Sequence, residues 1–288
     1  METIGREKEI KSIKSALRRK ANVLLIGQRG VGKSHLLLHI AQEVDSMGYY
    51  IPVLQPAKSA LTRALGDIMG LDADGLKEMG VNKMTIPQIA EKLIETIKEK
   101  DGFLLIIDAL DKISAANSEW LTKMGEEITI LGATVELKSS EHLTRFFWTF
   151  EIQEIQPLPD KDIKELVKQT IKRDKIQFKD KSALKLFMSK VPSVSKGIPL
   201  AAQQLCKKAS NHTRKVSISF IRENLKDHGA SVKFIDATYL FIGLFGVIMA
   251  MRYISRGMGS MDAYTFWGAM SGLLLVVRLL MFRSMSKR

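Results

Sequence analysis

Gly27, Gln28, Arg29, Gly30, Val31, Gly32, Lys33 and Ser34 spell G-x-x-x-x-G-K-[ST] without a departure, and no other feature constrains the fold of this chain as tightly. The run Asn22–Ile26 before it reads as a short apolar strand, and the segment after it, through Val44, has helical spacing. Strand, glycine loop and helix follow in the order a mononucleotide-binding fold requires. Glycines let the backbone wrap close to phosphate oxygens, while the loop and the helix N-terminus aim N–H groups at the anion. Lys33 would neutralise the β and γ phosphates of ATP and the Ser34 hydroxyl would coordinate Mg2+, with His35 next on the helix completing the candidate cradle.

Magnesium keeps an octahedral oxygen shell, so a carboxylate is expected at the end of a neighbouring strand. Asp108 ends the continuous apolar run Phe103–Ile107 and is the candidate. Asp111, three residues on, is a candidate to orient or deprotonate the attacking water, or else to cap the next segment. Thr134, at the end of Ile128–Ala133, carries a hydroxyl for the γ-phosphate or the water, with local capping as the alternative. Arg145 precedes the last expected strand, where it would reach a neighbouring subunit's nucleotide in a homo-oligomeric ring, or else remain a solvated surface residue.

The rest of the pattern fits an α/β fold. An opening helix is expected over Glu7–Lys20, further strands over Tyr49–Leu54, Phe103–Ile107, Glu127–Val135 and Phe147–Ile152, and a helix from Thr85 to about Lys100. Residues 55–84 receive no assignment. Five strands interleaved with helices imply a doubly wound parallel sheet, a P-loop NTPase core with helices on both faces, over residues 1–158. From Asp160 the strand signal stops, and helical spacing predicts a small all-helical lid over 159–230, ahead of a third region at 231–288.

Three more motifs accompany the glycine loop. Ile4, Gly5, Arg6, Glu7, Lys8, Glu9 and Ile10 read I-G-R-E-x-E; Ile155, Gln156, Pro157, Leu158 and Pro159 form a strand exit; Gly197, Ile198, Pro199, Leu200 and Ala201 read G-x-P-L-A. With these, about residues 4–210 resemble the AAA+ and STAND group of P-loop ATPases, especially archaeal-type ATPases related to origin-recognition proteins. The resemblance implies that Gly5 and Arg6 lie against the adenine and that Pro199 packs near it, coupling nucleotide state to lid position. Ala109 follows Asp108 where most AAA+ proteins have Glu, and Leu200 follows Pro199 where origin-recognition relatives have Arg. Both departures favour a slow ATP-dependent switch over a processive motor, and keep open a scaffold without turnover.

Composition bears on partners. A net charge of +13 favours anions, whether nucleotide, DNA or an acidic membrane surface. The single cysteine, Cys206, excludes an intrachain disulfide framework and a thiolate zinc site. The charged N-terminus lacks an apolar segment behind a basic start, so no signal peptide is expected. Phe234–Met251 and Ala263–Phe282 are mostly apolar, with Asp236 and Arg278 their respective charges. Each is about long enough to span a bilayer, which predicts a transmembrane helical hairpin turning within Tyr253–Asp262, with Asp236 paired to Arg278 and close packing at Gly268 and Gly272. Lys226, Lys233, Arg283, Lys287 and Arg288 against Arg252 and Arg256 place both ends, and the ATPase domain, in the cytoplasm. A DNA-associated role, as in a replication-initiator or transposition-helper relative, is the alternative that the charge supports.

Overall fold

In the computed structural model, which describes residues 3–110, 113, 117–137, 141–212, 215–225 and 238–285, the apolar run Asn22–Ile26 forms strand β1 inside a five-stranded sheet. The other strands are β2 (Gly48–Ile51), β3 (Leu104–Ile107), β4 (Thr129–Thr134) and β5 (Phe150–Glu154). All pair in parallel in the order β2-β3-β4-β1-β5. The strand that carries Asp108 is therefore not β1's neighbour, because β4 lies between them. β3 is buried at every residue, which explains its unbroken apolar sequence.

Helices cover both faces. On one, α1 (Glu7–Arg18) and α2 (Lys33–Val44) pack Ile13, Leu36, Leu37 and Ile40 against Val23, Leu25, Ile106 and Leu131. On the other, α3 (Ala57–Met69), α5 (Ile86–Lys98), α6 (Ser118–Glu127) and α7 (Glu141–Phe147) bury Leu61, Leu65, Leu93, Leu121 and Phe146 against Leu24, Leu105, Ile107 and Ile130. The unassigned stretch 55–84 thus holds α3 and the short α4 (Ala73–Glu78), which Asp72 caps from its side chain. Asn22 is buried at the start of β1 and bonded on both sides. It donates to the Gly125 carbonyl at 2.5 Å and accepts from Ile130 N–H at 2.8 Å, tying α6 and β4 to β1.

The expected strand Phe147–Ile152 is corrected. Phe147 ends a helix, and the strand begins only at Phe150. Phe146, Phe147 and Phe150 form one aromatic cluster, with centroids 5.3 and 5.0 Å from Phe146. A short apolar run does not by itself distinguish a buried helix turn from a strand.

After β5 the chain enters four helices, α8 (Asp160–Arg173), α9 (Lys181–Ser195), α10 (Pro199–Ser210) and α11 (Ile218–Asn224). They share a core of their own, built on Ile163, Val167, Phe187, Leu205 and Ile221. One isolated parallel bridge, Phe178 with Val216, is the departure from an all-helical lid.

The chain divides into two compact units, residues 1–228 and 229–288. In the second, α12 (Thr238–Gly257) and α13 (Met261–Met285) pack on each other as a hairpin, so the helical hairpin read from the sequence is present. Its turn is shorter than expected, because helix continues through Tyr253 and resumes at Met261. Among the described residues no helix is long and apolar enough to cross a membrane, so the expected transmembrane spans are not supported. Asp236 lies outside the described residues, and so does the Arg278 side chain. The polar contact seen within the hairpin is a different one. Arg252 stacks its guanidinium 4.5 Å over the Tyr264 ring, donates to its hydroxyl at 2.9 Å, and lies against Gly268. The expected close packing is seen at Gly268 and not at Gly272, where nothing among the described residues lies within 4 Å of an added side-chain carbon.

Candidate functional site

The glycine loop emerges from the C-terminal end of β1 and closes onto the first turn of α2. In parallel α/β sheets that end of the strands is where ligands bind. Gly32 is the N-cap of α2 in a left-handed conformation, φ +108°, which leaves the helix N-terminus without a side chain over it. The Lys33 ammonium donates to the carbonyls of Gly27 at 2.5 Å and Gln28 at 3.1 Å, so the cation is held over the loop. Gln28 and Arg29 are exposed at its crest, and Ser34 is exposed on the first turn of α2.

A cavity of about 1210 Å³ opens beside this loop. Arg6, Gly30, Val31, Gly32, Lys33, Ser34, His35 and Pro199 all line it, together with Leu158 and Gln203. Most of the residues expected around the nucleotide therefore meet at one place. The volume exceeds that of a typical small-molecule site of about 300–1,000 Å³, which leaves room for a nucleoside triphosphate. A lysine, a serine hydroxyl, a run of backbone N–H groups and a carboxylate at a strand end are the donor set that ATP with Mg2+ needs, so the residues fit that cofactor.

Arg6 has a definite structural position. It is 4% exposed, and its guanidinium donates to Val31 O at 3.0 Å and Gln156 O at 2.8 Å while pairing with Glu9 at 2.7 Å. One side chain thus clamps the opening box, the phosphate loop and the exit of β5. Gly5 does not line the cavity; it lies under α8, where a side-chain carbon would collide with the Asp162 carboxylate.

Asp108 stands just past the end of β3 with both carboxylate oxygens engaged. Oδ1 accepts the Ala109 N–H at 2.7 Å and Oδ2 accepts the Tyr50 hydroxyl at 3.2 Å. Ala109 holds a left-handed backbone, φ +53°, a strained conformation for a residue with a side chain. Thr134 ends β4, 1% exposed, and its hydroxyl donates to Glu136 O at 2.8 Å, the local-turn arrangement. Arg145 sits on α7, 74% exposed and 3.6 Å from the Glu126 carboxylate. Gly27, Gln28, Arg29, Asp108, Thr134 and Arg145 are not among the residues that line the cavity. Asp111 lies outside the described residues. His35 Nε2 is 3.4 Å from Thr3 Oγ1, and burial, helped by the nearby His39, holds its pKa below the ordinary value.

Sequence reasoning missed how the lid meets the loop. The first N–H groups of a helix lack partners inside it, and at α10 one is supplied from the loop: Leu200 N–H donates to the Gly30 carbonyl at 3.2 Å. Gly30 has φ +80°, and a side-chain carbon there would stand 2.9 Å from Leu200 Cβ. A hydrophobic residue in the position after a helix-initial proline was the available signal.

Residues 2–133 match the family model described as AAA ATPase domain. The matched segment takes in the glycine loop, Asp108 and most of β4. No curated protein sequence is similar to the chain. Among solved structures it resembles the Walker-type ATPase PABY2304 of Pyrococcus abyssi, with TM-score 0.54 and 14% identity over 89% of this chain and 76% of that one. A point variant of RuvB from Thermotoga maritima gives 0.50 and 18% over 88% and 78%. A second variant of that RuvB gives 0.46 and covers 62% of its length. The AAA domain of FIGL-1, solved in complex with ADP, gives 0.50 and 15% over 76% and 80%. At these identities the likeness is one of fold. It agrees with a P-loop α/β sheet and gives no support to the finer kinship with origin-recognition ATPases.

Proposed function

We propose that this protein is an AAA-type ATPase that binds ATP with Mg2+ and hydrolyses it slowly, using nucleotide state to reposition its lid rather than to drive processive work. The observation that carries the reading is the bond between Leu200 N–H and the Gly30 carbonyl, which links the lid directly to the phosphate loop. Backbone N–H groups of the loop and of α2 would hold the phosphates, Lys33 would turn from its loop carbonyls onto the β and γ oxygens, and Ser34 and Asp108 would hold the metal. Mg2+, when bound, supplies charge neutralisation across the phosphates. Pro199 and Leu158 offer apolar surface for the base. Two features support slow turnover: Ala109 stands where a catalytic carboxylate would follow Asp108, and Leu200 brings no charge to the phosphates. Asp111 is the acid assigned to the water, and Arg145 serves only in an assembly of copies.

ATP binding and steady-state turnover by the full chain, beside Lys33→Ala and Asp111→Asn, test this across protein concentrations. Turnover that depends on both residues supports the reading. Tight binding with no turnover makes the protein a scaffold, and absence of binding removes the nucleotide role altogether.

The reading includes attachment of the second unit to a membrane, with the ATPase domain on the cytoplasmic side. Leu244, Val247, Met251 and Ile254 recur on one stripe of α12 and are exposed, as are Met258 in the turn and Phe266 and Leu273 on α13. Exposed apolar surface of that extent marks an interaction site. Release of the full chain from membranes by alkaline carbonate counts against insertion.

A further inference from the structure

Tyr50 belongs to none of the motifs above, yet it touches the carboxylate assigned to the metal. Its place follows from strand register. β2 pairs in parallel with β3, Tyr50 opposite Ile106 and Ile51 opposite Ile107, and the Asp108 N–H donates to Ile51 O at 2.9 Å. Alternation along β3 puts Ile106 and the following second residue, Asp108, on the same face as Tyr50. The diagonal gap between such positions is about 7–8 Å, within reach of an aromatic side chain and too long for a short one. That face is the one covered by α2, the helix the phosphate loop feeds, and Tyr50 packs against its core there. The phenol is half-buried, and burial together with Asp108 pushes its pKa up, so it remains a neutral donor.

We propose that Tyr50 is a positioning residue for the metal carboxylate, fixing the rotamer of Asp108 from the edge strand. The inference rests on Asp108 being the magnesium carboxylate. Two donors act on it from opposite sides, the Ala109 N–H on Oδ1 and the Tyr50 hydroxyl on Oδ2. Each oxygen keeps a lone pair for the metal or its water, because a carboxylate offers about four acceptor sites. Both donors are uncharged, so they fix direction without cancelling the negative charge. The amide that follows Asp108 supplies one donor and the tyrosine on the edge strand supplies the other. With the phenol gone, the Ala109 N–H on Oδ1 is the one restraint left of the two, the carboxylate gains rotational freedom, and part of each metal encounter is spent in the wrong orientation.

The test is calorimetric affinity of the full chain for a non-hydrolysable ATP analogue, with Mg2+ and with EDTA, for wild type, Tyr50→Phe, Asp108→Asn and the double variant. The reading is the ratio of the two affinities, which a general loss of structure lowers in both conditions and so leaves unchanged. Tyr50→Phe is expected to reduce the magnesium enhancement about ten-fold, with affinity in EDTA unaltered. In the Asp108→Asn background it should do nothing further. If Asp108→Asn removes the enhancement and Tyr50→Phe leaves it intact, or if Tyr50→Phe weakens binding equally with and without magnesium, the positioning role is overturned while Asp108 keeps the metal. An additional loss from Tyr50→Phe on top of Asp108→Asn also overturns it, because the phenol then acts elsewhere. An enhancement that is absent in wild type, or that survives Asp108→Asn, overturns the assignment of Asp108 and the role of Tyr50 with it.

Discussion

Arg6 shows how one side chain holds several pieces of the candidate nucleotide site at once. Its guanidinium is buried and bonded to two carbonyls from separate segments and to Glu9. Replacing it by alanine leaves both carbonyls and the Glu9 charge without their donor, and removing one partner from such a buried group costs about 2–3 kcal/mol. Arg6→Ala should lower the unfolding free energy by that amount in a urea titration. Arg6→Lys should not restore it, because an ammonium cannot present the guanidinium fork. Cys206 is the other informative residue. Fully buried in the lid, its thiol is pushed from the ordinary 9.0 up to about 12 by desolvation. Since the folded state favours the protonated form, the stability it contributes is complete below pH 9 and lost as pH rises through about 12. The native thiol should react with a disulfide reagent at pH 8 only at the rate of local or global opening, and readily in denaturant.

Elements with strong local signals were legible in the chain, and those that depend on partners were not. β1, the glycine loop and the start of α2 lie where the residues put them, because the loop chemistry and the buried strand each allow one local solution. The strand boundary at Phe147–Phe150 was misread, since the same aromatic run satisfies a helix end packed on a strand start. Strand order cannot be read from periodicity, and so Asp108 was expected beside β1 when β4 lies between. Tyr50 escaped notice because its role depends on register with a strand more than fifty residues away. Asn22 is the same kind of residue, polar inside an apolar strand and explained only by Gly125 and Ile130. Asn22→Ala should destabilise the core by about 1–3 kcal/mol, measurable as a shift in chemical denaturation midpoint with unchanged slope.

At the scale of the whole molecule, the division into two units predicts uneven coupling to ligand. Nucleotide at about 100 times its dissociation constant should stabilise the first unit by about 2.7 kcal/mol, and hydrogen exchange should slow there while the hairpin amides keep their rates. The net charge of +13 predicts DNA binding that is weak, indifferent to sequence and steeply reduced by salt. Retention of DNA at 200 mM salt with sequence preference would point to a dedicated nucleic-acid surface instead.

The joint between Leu200 and Gly30 ties the lid to the phosphate loop, and under the proposed function it would give the lid influence over timing. Coupling free energies are reciprocal: if nucleotide biases the position of α10, a protein that grips α10 from outside alters nucleotide affinity by the same factor. Such a partner never needs to enter the cavity. On the proposed reading it would lengthen or shorten the residence of a bound nucleotide from a distance, and the lid would serve as a clock whose rate other proteins set.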